Sequence, residues 1–70
     1  MSSHIYKVIE LAGSSKTGCD DAIRNAIKRA ARTIDHLDWF EVIEQRGVIA
    51  NGEVEYFQVK LKVGFRLEER

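Results

Sequence analysis

Polar and apolar residues alternate at both ends of this chain, and a three-to-four spacing occupies the stretch between. His4-Ile5-Tyr6-Lys7-Val8-Ile9-Glu10-Leu11 is rich in β-branched and aromatic residues and predicts a first strand. Alternation puts Ile5, Ile9 and Leu11 on one face and Tyr6, Val8 and Glu10 on the other. Gly13-Ser14-Ser15-Lys16-Thr17-Gly18 reads as a turn, with the Thr17 hydroxyl placed to cap a helix. Asp20 and Asp21 suit the positive end of that helix. It is expected from Gly18 to Asp35, with Ile23, Ala26, Ile27, Ala30, Ile34 and Leu37 forming one apolar stripe. Arg24, Lys28, Arg29 and Arg32 lie off the stripe, where cations favour the later turns.

A second strand is expected from Trp39 to Ala50 and a third from Val54 to Leu67, joined at Asn51-Gly52, a pair that accepts positive φ. On the third strand Phe57, Val59, Leu61, Val63, Phe65 and Leu67 share the face that covers the helix. Tyr56, Gln58, Lys60, Lys62, Gly64 and Arg66 share the polar one. The fold class is α+β: one β-α-β-β domain over residues 1–70, a three-stranded antiparallel sheet of order 1-3-2 on one helix. Such a two-layer unit leaves a sheet face and two edges open, and self-association covers them.

On the second strand Phe40 and Val42 point to the helix by alternation, and Trp39, Glu41, Ile43 and Gln45 point away. Two placements stay open for the single tryptophan. Pattern alone favours plugging the helix–strand corner; the other is a flat π surface offered to a subunit or a planar ligand.

Composition narrows the classes. Seventy residues bury only about 60% of their unfolded surface, which leaves a small domain in need of support. The lone Cys19 cannot form an internal bridge, and no Cys/His cluster has zinc spacing, so oligomerisation is the expected support. Eleven basic and eleven acidic residues cancel, which speaks against a general nucleic-acid binder. Met1-Ser2-Ser3-His4 lacks a basic region followed by an apolar one, so neither a signal peptide nor a membrane span is expected. A single thiol fits a reducing compartment, and a cytoplasmic location is the default expectation.

The chain resembles the dodecins, small flavin-binding proteins, through a series of stretches in order. These are Tyr6-Lys7-Val8-Ile9-Glu10-Leu11, Gly13-Ser14-Ser15, Leu37-Asp38-Trp39-Phe40-Glu41-Val42, Arg46-Gly47, Tyr56-Phe57-Gln58-Val59 and Val63-Gly64-Phe65-Arg66-Leu67-Glu68. The resemblance implies a sheet wrapped on its helix and a hollow homododecamer. It also implies paired flavins stacked between Trp39 and its copy on a neighbouring subunit, and Gln58 bonding the pyrimidine edge of the ring. An indole stacks well on an electron-poor isoalloxazine and can donate an electron to its excited state. A glutamine amide offers the donor and acceptor that edge requires. By the same resemblance Arg46 meets the FMN phosphate, Arg66 assists, and Asp38 helps close the pocket. Without it, Gln58 and Arg46 read as solvated strand residues.

Some relatives also hold coenzyme A, which would draw on His4, Tyr6, Arg29 and Thr33; alternation is taken to set His4 and Tyr6 on opposite faces. The expected function is non-enzymatic: cytoplasmic storage and photoprotective sequestration of FMN, with riboflavin or FAD as alternative flavins and no catalytic or metal residues. One competitor is a flavoenzyme, which needs substrate access and a placed acid, base or nucleophile. Another is an adaptor or nucleic-acid module using Lys60, Lys62 and Arg66. The partners expected are copies of the chain itself and flavins, with neither nucleic acid nor membrane.

Overall fold

Asn51 and Gly52 reverse the chain with φ of 56° and 77°, the paired positive values of a turn whose twist matches the strands it joins. The computed structural model describes residues 4–67. The expectation for Met1–Ser3 and the Glu68 of the family motif lie outside them. Either side of the turn run β2 (Leu37–Ala50) and β3 (Glu53–Arg66), preceded by β1 (Tyr6–Ser15) and α1 (Cys19–Ala30). β3 is central and antiparallel to both neighbours, so the order is β1-β3-β2, as expected with β1 on the free side of β3.

Several boundaries differ from the local pattern. β1 continues through Gly13 to Ser15, pairing with Val59 and Phe57, because the exposed ladder of β3 overrides weak strand propensity. The residue that organises the helix start is Ser15, not Thr17. Its hydroxyl donates to Asp21 at 2.7 Å and accepts from the Thr17 N–H at 2.9 Å, while the N-cap position is Gly18 without a side-chain cap. The helix stops at Ala30 rather than Asp35. The next residues tighten, with Arg32 and Thr33 N–H donating to carbonyls three residues back, and His36 at φ 66° swings the chain into β2.

α1 lies over β1 and β3. The buried apolar core is Ala22, Ala30, Val59, Leu61 and Val63. Ala22, missing from the expected stripe, is fully buried, and Gly13 explains why. A Cβ at Gly13 would stand 2.3 Å from the Ala22 carbonyl oxygen, so only a glycine lets the helix sit this close to β1. Phe40, expected beneath the helix, is half exposed in a cleft it shares with Ile23 and Ile27. The helix does not reach across to cover β2.

The subunit is long and thin, 56 × 21 × 13 Å. Its radius of gyration is 14.7 Å, against about 11 Å for a compact chain of this length. Its accessible surface is 5475 Å², where about 4,450 Å² is usual for a monomer of this mass. Ile49 and Val54 at the hairpin and Ile5 near the other end are among the exposed apolar side chains. A chain of this shape exposes more surface than a compact monomer of its mass.

Candidate functional site

Two bulges in β2 decide which side chains meet on the face away from the helix. Leu37 pairs with Phe65 and Trp39 with Gly64, so Asp38 is the extra residue; Val42 pairs with Leu61 and Glu44 with Lys60, so Ile43 is another. The first bulge sends Leu37 toward the helix and Trp39 to the open face. The second returns Arg46 to that face, directly opposite Gln58. Strict alternation from Trp39 would have put Arg46 on the helix side. It also put Gln45 with Trp39, whereas Gln45 pairs with the buried Val59 and belongs to the helix side.

Trp39 does not plug the helix–strand corner. Its indole lies across Gly64, so close that a Cβ there would meet Cε2, Cζ2 and Nε1 at 2.2, 2.4 and 2.5 Å. Gly64 is buried by this cover, while Trp39 keeps 40% of its surface exposed. One face of the ring is used against its own sheet and the other is free. Val8, on the far side of Gly64, extends this apolar floor.

Tyr6 and Arg66 form the next pair along, and Asp38 stands beside them. The Tyr6 hydroxyl donates to the Asp38 carboxylate, which raises its pKa above the ordinary 10.0. Desolvation and the negative charge of Asp38 add to this, and Arg66 opposes it. The folded state therefore holds this proton more tightly than the unfolded chain. The stabilisation is present at neutral pH and lost as pH rises past 10 through the raised value. Asp38→Asn is expected to bring the Tyr6 ionisation back down, read as phenolate absorbance during an alkaline titration.

Gln58 and Arg46 sit at the other end of the same face. Gln58 lies six positions before Gly64 on β3, about 20 Å of extended strand. Within one chain Trp39 and Gln58 therefore stand at opposite ends of this face and do not converge. Between the ends, Lys62 faces Glu10 and Glu41, and Lys60 faces Glu44, with Lys60 Nζ 3.9 Å from a Glu10 oxygen. Each of these lysines thus stands opposite a carboxylate.

His4, which precedes β1, brings its ring against that of Tyr6 rather than to the opposite side. Their rings make an edge contact with centroids 6.5 Å apart. Arg29 and Thr33 lie elsewhere, lining a cleft between α1 and β1 with Gly13, Ser14 and Asn25. Within one subunit the four do not converge. Among the described residues no group of three or more His, Cys, Asp or Glu could hold a metal ion, and no helix is long and apolar enough to cross a membrane. Sequence reasoning passed over Gly64 as one member of a polar face. A glycine inside a strand of bulky residues is the signal that something approaches closely there.

Comparison with known proteins agrees with the fold. The family model "Dodecin" matches residues 5–68. Dodecin of Thermus thermophilus is 54% identical over 65 residues, 93% of this chain and 94% of its own. The solved dodecin of Streptomyces davaonensis superposes with a TM-score of 0.93 at 51% identity, covering 97% of this chain and 100% of that one. A more distant relative, the calcium dodecin of Mycobacterium tuberculosis, is 36% identical over 64 residues, 90% of this chain and 89% of its own.

Proposed function

This chain belongs to the dodecin family, and on that premise we propose that it is a cytoplasmic, non-enzymatic store for FMN that assembles as a homododecamer. The observation that carries this reading is the seating of Trp39. An indole laid on its own sheet has a single free face, which is what a stack closed by two such indoles from neighbouring subunits requires. Two isoalloxazine rings fill the slot between them. Gln58 of another neighbour bonds the ring edge, and Arg46, on the same face as Gln58, meets the phosphate. A ring stacked on both sides is closed to a second substrate, and the indole quenches its excited state, so the arrangement protects rather than catalyses.

The thin subunit and its surplus surface support assembly. Coenzyme A fits as a second ligand where the His4–Tyr6 ring pair of one subunit meets the Arg29–Thr33 cleft of another.

Fluorescence titration tests the proposal. FMN added to the purified protein is expected to lose its emission, with sedimentation reporting a particle of twelve subunits. Unquenched FMN in the presence of excess protein would refute the storage reading. Arg46→Ala is expected to weaken FMN about 10-fold, the low end for a hydrogen bond to a charged group because Arg46 is exposed. Riboflavin, which has no phosphate, should bind the variant as it binds the parent.

A further inference from the structure

We infer that Gly64 is the residue that sets the width of the flavin slot, and with it the number of rings the slot admits. The inference rests on the reading of Trp39 as a stacking face and adds what holds that face at its height. Three indole atoms lie within 2.5 Å of where a Cβ at position 64 would be, while no other glycine has a side-chain ring over it. The pyrrole edge and the adjoining benzo carbon cover the bare Cα, and the ring therefore rests on backbone instead of on a neighbouring side chain. Lys62 and Arg66, the flanking residues on this face of β3, carry long side chains, so Gly64 is the gap in the row into which the indole drops.

Carbon atoms in contact stand about 3.5 Å apart. A methyl at position 64 therefore displaces the ring outward by roughly 1.3 Å, and the facing copy by the same amount. A stack of indole, two flavins and indole needs three such spacings, about 10.5 Å, and loses about 2.6 Å of that. The remaining 8 Å or so exceeds the roughly 7 Å that one ring between two indoles needs, and falls short of two rings. Gly64 is thus a positioning residue: it touches no ligand and determines how many fit.

The test is Gly64→Ala, titrated with FMN to its end point and examined by near-ultraviolet circular dichroism, where the single tryptophan supplies a distinct band. The parent is expected to take one FMN per subunit and the variant one per two subunits, with the tryptophan band altered. An unchanged end point with a parent-like band overturns the inference. If the variant does not fold, Gly64→Ala combined with Trp39→Phe removes the obstructing ring edge and is expected to restore the assembled particle. Failure of that double variant as well means the glycine serves something other than the indole, and the inference falls. If the parent itself binds no FMN, the storage reading fails separately. The tryptophan band still decides whether Gly64 seats the ring.

Discussion

Trp39→Ala is expected to cost FMN binding about 5- to 150-fold per ring, which corresponds to the 1–3 kcal/mol that one aromatic stacking partner contributes in alanine substitutions. The loss falls on binding because the indole has no part in the core. It is 40% exposed, lies on the face away from α1, and contacts the sheet where no side chain stands. Val59, Leu61 and Val63 are untouched by its removal. Sedimentation and far-ultraviolet circular dichroism should therefore match the parent, while the quench titration shifts to higher FMN. An FMN affinity equal to the parent's would place the ring somewhere other than against this indole.

Gly13→Ala is expected to have the largest effect on the fold. Its Cβ would meet the Ala22 carbonyl oxygen at 2.3 Å and the Ala26 Cβ at 2.9 Å, and the first of these is helix backbone that cannot turn aside. The helix must lift from β1, opening the core around Ala22. Overpacking costs about 1–3 kcal/mol when side chains can adjust, and this site is stiffer. A small single core supplies only about 3–5 kcal/mol, so most of the subunit's own stability is at stake. Urea unfolding should show a large drop in midpoint, with dissociated, partly unfolded chain at concentrations where the parent is assembled. Gly18→Ala serves as the control. Nothing stands within 4 Å of its Cβ position, and losing a glycine N-cap costs less than about 1 kcal/mol. A Gly13 variant as stable as this control would mean the helix has freedom to move that its contacts do not show.

Much of the architecture is legible in the chain because its signals are local. Asn51-Gly52 announces the hairpin by conformation alone, and the unbroken alternation from Phe57 to Phe65 identifies the central strand and its buried side. The order of strands follows from those two facts and one helical stripe. The misses come where partners distant in sequence decide. Gly13 to Ser15 look like a turn until β3 supplies a ladder, and Thr33 and Ile34 look helical until the chain has to return at His36. The candidate site divides in the same way. Trp39 and Gln58 reach a common face by counting, but Arg46 reaches it only through the irregularity at Ile43, which no pattern of residue types marks. Their separation along the strand is equally invisible to a count of faces.

The irregularity at Ile43 also governs how this segment can vary. Between Trp39 and Arg46 the backbone spends one more residue than its neighbour, and that surplus is what puts a guanidinium and an indole on a common side. Trimming one residue from the segment would leave the chain's chemical groups otherwise intact and yet turn one of the two away. Length is therefore a constrained quantity along this segment, whatever side chains it carries.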